Sequence, residues 1–243
     1  MSKARLASET EHFDDAAVRY RASWWGQVTP AGHRRLERRH EKVRRFLKDH
    51  QSRRVLEIGC GSGILTQGIA HNGLRLWAVD IAPELLKIAR DSGISALFLR
   101  ASLDRLPFPD DSFDAVIGDG ILHHVDLEPA LREIRRVLRP QGAALFFEPN
   151  MLNPQIFLER HVPWIRGLHQ TPEETAFYRM PLKRRLLNFW PNVDIQPFDF
   201  LHPSVPARLI DLVQKTGAWL ERCPGIREIA GSLCIEASPG GKS

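Results

Sequence analysis

The chain has 243 residues, enough for one large domain, with 26% charged and 43% hydrophobic residues and a formal net charge of +5. No apolar run approaches the ~18 residues of a membrane span, and the opening MSKARLASETEHFDD lacks the apolar core of a secretory signal, so a cytoplasmic protein is expected. Cys60, Cys223 and Cys234 are an odd, scattered set without ligand spacing, which speaks against a disulfide framework and against a metal site.

The positive excess is local. Residues 33–48, HRRLERRHEKVRRFLK, hold eight basic and two acidic side chains, a net of +6, and the rest of the chain sums to −1 (26 against 27). Such a segment suits an anionic substrate, a membrane surface or nucleic acid. Leu36, His40, Val43 and Leu47 fall on one helical stripe, so the pattern reads as a helix with a solvated basic face. From Arg54 to Asn150 short apolar runs alternate with longer intervals, and RVLEIG, LRLWAVD, ALFLR, AVIG and AALFFEP read as strands of a parallel sheet covered on both faces. Before the last of these, Asp126 is the expected N-cap of a helix with the stripe Leu131, Ile134, Val137 and Leu138, ended by Pro140 and Gly142. Residues 151–190 read as an insertion of loop and short helix, VDIQPFDF as a late strand, 205–222 as a helix and SLCIEA as a last strand. One domain is expected: 1–50 ahead of the core, 51–150 the core, 151–190 the insertion, 191–237 the closing strands and helix, and 238–243 a flexible tail.

The first strand runs into VLEIGCGSG, where Gly59, Gly61 and Gly63 allow a sharp bend and close approach to a ligand. The dinucleotide fingerprint needs a third glycine where this chain has Ile64. Glu57, aimed into the same turn, would repel a pyrophosphate and welcome a cation. S-adenosylmethionine has an amino group, a sulfonium and a ribose but no phosphate, and it suits that turn. Asp80 closes the second strand 21 residues after Gly59 (80 − 59), where a carboxylate can accept both ribose hydroxyls.

These stretches also resemble a known family. VLEIGCGSG, WAVDIAPELLKIAR, LPFPDDSFDAVI and LHHVDLEPALREIRRVLRPQGAALFFEP, in that order over residues 54–150, are similar to the class I S-adenosylmethionine-dependent methyltransferases, in the branch that includes the ubiquinone and menaquinone biosynthesis enzymes. The resemblance implies a Rossmann-like, doubly wound α/β sheet of seven strands in the order 3-2-1-4-5-7-6, with strand 7 antiparallel, an N-terminal helical lid and an insertion after strand 5. It puts Glu57, Gly59, Gly61 and Gly63 along the methionine part of the cofactor, with Cys60 a small residue inside the turn. Asp80 would hold the ribose and Ile81 would pack on the adenine. Ser102, followed by Leu103, stands where many members carry an aspartate for the adenine amino group.

Methyl transfer is an in-line displacement on an activated carbon, so positioning does much of the work and a general base serves only some nucleophiles. GDGILHHVD offers Asp119, which would shape the methionine pocket, and His123 and His124 as bases or as architecture. FFEPN offers Glu148 as a base or a turn cap, and Asn150 on the substrate side. FDDAAVRYRASWWGQ is the expected lid, with Tyr20, Trp24 and Trp25 able to close over a sulfonium or simply to pack. The lid, the aromatic and basic insertion and His202 in DFLHP should carry acceptor specificity, for a small molecule of anionic or amphipathic character, in a monomer or a homodimer. A nucleic-acid methyltransferase using the 33–48 helix is the rival reading; the strand-four turn GDGILHH lacks the Asn/Asp-Pro-Pro-aromatic pattern of amino-methylating nucleic-acid enzymes, and no RNA module is appended. A non-catalytic cofactor-binding protein is the third, weakened by the presence of both Glu57 and Asp80.

Overall fold

In a computed structural model, which describes residues 10, 14, 29–71, 73–161 and 176–240, the alternation of apolar runs becomes one seven-stranded sheet. Strands β1 (Arg54–Ile58), β2 (Arg75–Asp80), β3 (Leu97–Arg100), β4 (Phe113–Asp119), β5 (Leu138–Pro149), β6 (Asn192–Phe198) and β7 (Ser232–Ser238) lie in the order β3-β2-β1-β4-β5-β7-β6. The first five are parallel, and β7 runs antiparallel to both β5 and β6. The order reverses between β1 and β4, and at such a switch point the chain leaves adjacent strands in opposite directions, opening a crevice beyond their C-terminal ends.

Alternate residues of each strand feed two cores. Leu56 and Ile58 join Leu131, Ile134, Leu182, Leu186 and Trp190 on one face, while Val55 joins Val43, Phe46, Leu47, Leu65 and Ile69 on the other. The first face is covered by helices α4 (Leu127–Val137) and α6 (Arg179–Leu186), the second by α1 (Pro30–Asp49) and α2 (Ile64–Ile69). Helix α3 (Pro83–Asp91) follows β2, α5 (Pro154–His161) follows β5, and α7 (Ile210–Leu220) lies between β6 and β7. Phe146 and Trp190 are 0% and 1% exposed, and truncating either to Ala would cost ~3–5 kcal/mol.

Several expectations change. Helix α4 stops at Val137, ahead of Pro140, because Leu138 already pairs with Phe113 at the edge of β4, and Asp126 caps it without a side-chain hydrogen bond. Ser238, assigned to the tail, is the last residue of β7 and pairs with Asn192. Within the N-terminal region 1–50, Pro30–Asp49 form α1, a helix of the sheet's covering layer started by Thr29, whose hydroxyl accepts from Gly32 N at 3.0 Å. Its His40 lies against α2 so closely that a Cβ on Gly68 would sit 2.0 Å from the imidazole.

Part of the basic face of α1 is not solvated, although Arg34, Arg45 and Lys48 are exposed. Arg35 Nε donates to Asp199 at 2.7 Å and Arg38 grips Glu221 at 2.8 and 2.9 Å, while Arg39 pairs with Asp119 and donates to Ser232 Oγ at 3.0 Å. These acids come from residues 80 to 183 positions away in sequence, which hides the pairing from any local pattern. Asp199 is 2% exposed and left-handed (φ 77°), a conformation costing ~1 kcal/mol or more outside glycine that the two arginines and the Glu221 carboxylate on its N–H hold in place.

Candidate active site

The glycine turn sits at the C-terminal end of β1. Gly59 has φ 66°, and a Cβ there would lie 2.6 Å from Ile121, so both backbone and space require glycine. On Gly61 a Cβ would meet nothing closer than Leu85 at 3.8 Å, so the turn has room on that side. Gly61 N donates to Asp80 Oδ2 at 2.7 Å and Ala82 N to Oδ1 at 2.9 Å, so Asp80 fastens the end of β2 to the turn after β1. Burial raises the Asp80 carboxyl above its ordinary value against those two hydrogen bonds. Glu57 is 2% exposed and accepts from Thr66 Oγ1 at 2.7 Å. Burial, with the negative Asp119 and Asp80 nearby, pushes its carboxyl up to about 8 against that hydrogen bond. Below about pH 8 Glu57 therefore rests as a neutral acid between Asp80 and the Arg39-paired Asp119, and a cation placed beside it would favour its ionised form.

A second constellation closes the β4–β5 side. Gly120 N donates to Phe147 O at 2.7 Å, tying the turn after β4 to β5. One turn of 3₁₀ helix, Leu122–His124, then brings His123 Nδ1 to 2.7 Å from Glu148 Oε2. The other oxygen, Oε1, accepts from Ile121 N at 3.1 Å and Leu122 N at 2.7 Å. Both side chains are essentially dry, 4% and 0% exposed, and burial pushes the Glu148 carboxyl up to about 8 despite its hydrogen bonds. His124 is buried as well, its ring 4.0 Å from that of His123.

The methyltransferase-domain family matches residues 56–146, the stretch that builds this crevice. A ubiquinone biosynthesis O-methyltransferase of Hahella chejuensis is 30% identical over 195 residues, covering 75% of this chain and 78% of the relative. That coverage decides the family. The chain belongs to the class I S-adenosylmethionine-dependent methyltransferases. Other relatives match over less: a demethylmenaquinone methyltransferase of Chlorobaculum tepidum is 33% identical over 111 residues, 45% of this chain and 46% of that one, so the match spans about half the relative's length. The structure of magnesium protoporphyrin IX methyltransferase from Synechocystis PCC 6803 with bound SAH superimposes with a TM-score of 0.63 at 16% identity, over 96% of this chain and 99% of that one, which shows a shared fold.

Within this methyltransferase the remaining expected residues separate clearly. Ile81 is half-buried beside Asp80, and its carbonyl accepts from Arg100 Nε at 3.0 Å. Ser102 Oγ accepts from Asp104 N at 3.4 Å inside a turn. Leu103, expected beside the cofactor, goes elsewhere, and Cys60 is the small residue expected inside the turn. Cys60 packs beneath the turn with Ala78 and Leu86, its thiol raised well above the ordinary value by burial, and Leu103 is 3% exposed in the core with Leu106 and Phe113. Asn150 is also a correction, because its amide donates to Glu228 O and Ala230 O at 2.8 Å each and its Oδ1 accepts from Leu152 N, so it joins β5 to the turn before β7. His202 is exposed and hydrogen-bonds Ser204 at 2.6 Å and Gln155 at 2.8 Å, which lowers its reach toward the crevice but links it to α5. Tyr20, Trp24 and Trp25 lie outside the described residues; of the same segment Asp14 is described, and its carboxylate accepts from Glu84 N at 3.1 Å at the start of α3.

Two polar residues of the site left no readable signal in the sequence. Thr66, on the first turn of α2, is a short polar residue in an apolar helix, and only folding shows it facing Glu57. Arg39 is one of eight basic residues on its segment, yet it alone crosses the ends of β4, β5 and β7, pairing with Asp119, donating to Ser232 and lying 5.4 Å over the Phe147 ring. No helix among the described residues is long and apolar enough to cross a membrane, and no group of three or more His, Cys, Asp or Glu among them could hold a metal.

Proposed function

We propose that this methyltransferase moves a methyl group from S-adenosylmethionine to a small acceptor molecule, with His123 taking the acceptor's proton and Glu148 positioning His123. The observation that carries the reading is the dry Glu57 carboxyl, raised to about 8 beside Asp80 and Asp119 at a glycine turn, a group that a cationic, phosphate-free nucleoside would help to ionise and that a pyrophosphate would hold neutral. When bound, S-adenosylmethionine supplies a methyl group on a positively charged sulfur. Asp80 offers the ribose its carboxylate, Ile81 a flat apolar neighbour for the base, and Arg39 a counter-charge for the amino-acid carboxylate. Glu57, 2% exposed, answers the ammonium through the field of the turn. The N-terminal segment that holds Asp14 at α3 is the lid in this reading. The small-molecule and amphipathic character of the acceptor rests on relatives whose names place them in quinone biosynthesis, and the free thiols of Cys60, Cys223 and Cys234 accord with a cytoplasmic setting.

The proton route follows from the pair. With its carboxyl raised to about 8, Glu148 keeps the dyad one proton richer below that pH, whether the proton rests on oxygen or on Nδ1. Above it, the single shared proton sits between Nδ1 and Oε2, and Nε2 becomes the acceptor. The methylation rate should therefore rise as pH passes through about 8, and this limb should vanish in Glu148→Gln. Isothermal calorimetry tests the cofactor directly: S-adenosylmethionine should bind and NAD should not, and the reverse result would overturn the reading.

A further inference from the structure

We propose that the protein docks on anionic lipid surfaces through the face formed by α5, α6 and the turn Ile226–Ile229. Segments distant in sequence build this face together: Asn153 Nδ2 donates to Ile229 O at 2.9 Å, Asn150 Nδ2 to Glu228 O at 2.8 Å, Phe177 N to Pro149 O at 3.1 Å, and Arg179 pairs with Glu228 at 2.5 Å. Phe157, Leu158, Tyr178, Met180, Ile226 and Ile229 are each 42–55% exposed on it. Helix α5 buries none of its own residues, so its apolar side chains at 156–158 are only partly covered and leave apolar surface for another environment. Helix α6 anchors Leu182 and Leu186 in the core, which turns Met180, Arg184 and Leu187 outward from its opposite side.

Charge says what that environment is. Residues 150–161, 176–190 and 224–230 carry six basic and two acidic side chains, a net of +4 in a chain whose total is +5, and residues 162–175 between them subtract one (Arg166 against Glu173 and Glu174). Both acids have partners within the face: Glu228 pairs with Arg179 and Arg227, and Glu159 accepts from Gln155. Arg184 and Arg185 are exposed. Bulky apolar side chains interleaved with cations match an interface in which acyl chains receive the first and phosphate headgroups the second. The face surrounds the C-terminal end of β5, so a protein seated there turns the Glu148 side of the crevice toward the lipid. An acidic protein would satisfy the cations alone.

Co-sedimentation of the full chain with vesicles, needing neither cofactor nor turnover, tests this. Vesicles of phosphatidylglycerol mixed with phosphatidylcholine should bind the protein and release it as salt rises, and pure phosphatidylcholine should bind it far less. Each basic residue at such a surface is worth about a fivefold change in partitioning, so the double variant Arg184→Glu/Arg185→Glu should weaken binding by at least about tenfold. Phe157→Ser/Leu158→Ser should weaken it comparably at every salt concentration. Arg45→Glu, whose side chain is 85% exposed on α1 across the sheet, should leave it unchanged. All these positions are exposed, and equal thermal midpoints would establish that each variant is folded. No binding to anionic vesicles, an equal loss in Arg45→Glu, or capture by an acidic protein with vesicles ignored would each overturn the proposal.

Discussion

The β1–β2–β4 end of the crevice and the β5–β7 end are built on opposite terms. At the first, polar groups are buried and held by backbone: Asp80 takes two backbone N–H groups, Glu57 is closed over by Thr66, and the glycine turn stores left-handed residues. At the second, buried Asn150 ties β5 to the turn before β7, but around it part-buried ion pairs such as Arg179–Glu228 join the segments and α5 has no buried residue. The difference teaches where precision is needed. A ligand of fixed shape and charge can be met by a preorganised cradle, whereas a surface that meets varied or fluid partners gains more from adaptable contacts than from rigid ones. The His123–Glu148 pair sits on the boundary, with its carboxylate on the strand that begins the second half and its imidazole on the turn that ends the first.

Substitutions can break that comparison or sharpen it. The largest effect should come from the boundary: His123→Ala should lower the initial methylation rate by roughly 10²–10⁴-fold while cofactor affinity by calorimetry is kept, and an unchanged rate would return His123 to an architectural role. Gly59→Ala forces a Cβ to 2.6 Å from Ile121 at φ 66°, so denaturant unfolding should show a loss of about 3 kcal/mol; a neutral result would mean that the cradle is softer than described. Asp80→Ala removes a charged acceptor of two backbone donors and should weaken S-adenosylmethionine binding by about 2 kcal/mol, roughly 30-fold. Unaltered affinity would remove Asp80 from the ribose. Phe157→Ser, on the adaptable side, should shift unfolding by less than about 0.5 kcal/mol, and a large loss would show that α5 is structural after all.

How much of this was legible in the sequence follows the same division. Each of the five parallel strands announces itself by an apolar run; for β1, β2, β4 and β5 this is because a strand covered on both faces needs apolar residues, while β3 at the sheet edge keeps Leu97 and Arg100 exposed. The glycine turn and its two acids are readable for the same local reason: Glu57, Gly59 and Asp80 lie on two adjacent βα units, and short spacing encodes their meeting. Asn150 misled, since a polar residue at a strand end looks the same whether it faces the crevice or the chain's own backbone. The arginines of α1 misled for another reason. A helix dense in cations reads as solvated until acids from the far end of the chain arrive.

By itself, then, the sequence determined the alternation of strand and helix, the acid-lined glycine turn and the family they imply, all of which depend on residues near one another along the chain. Tertiary structure alone decided that Arg39 reaches Asp119, that Glu148 meets His123, and that α5, α6 and the turn before β7 join into one exposed face. Such encounters are fixed by strand order and packing, and no period or spacing in the sequence records them.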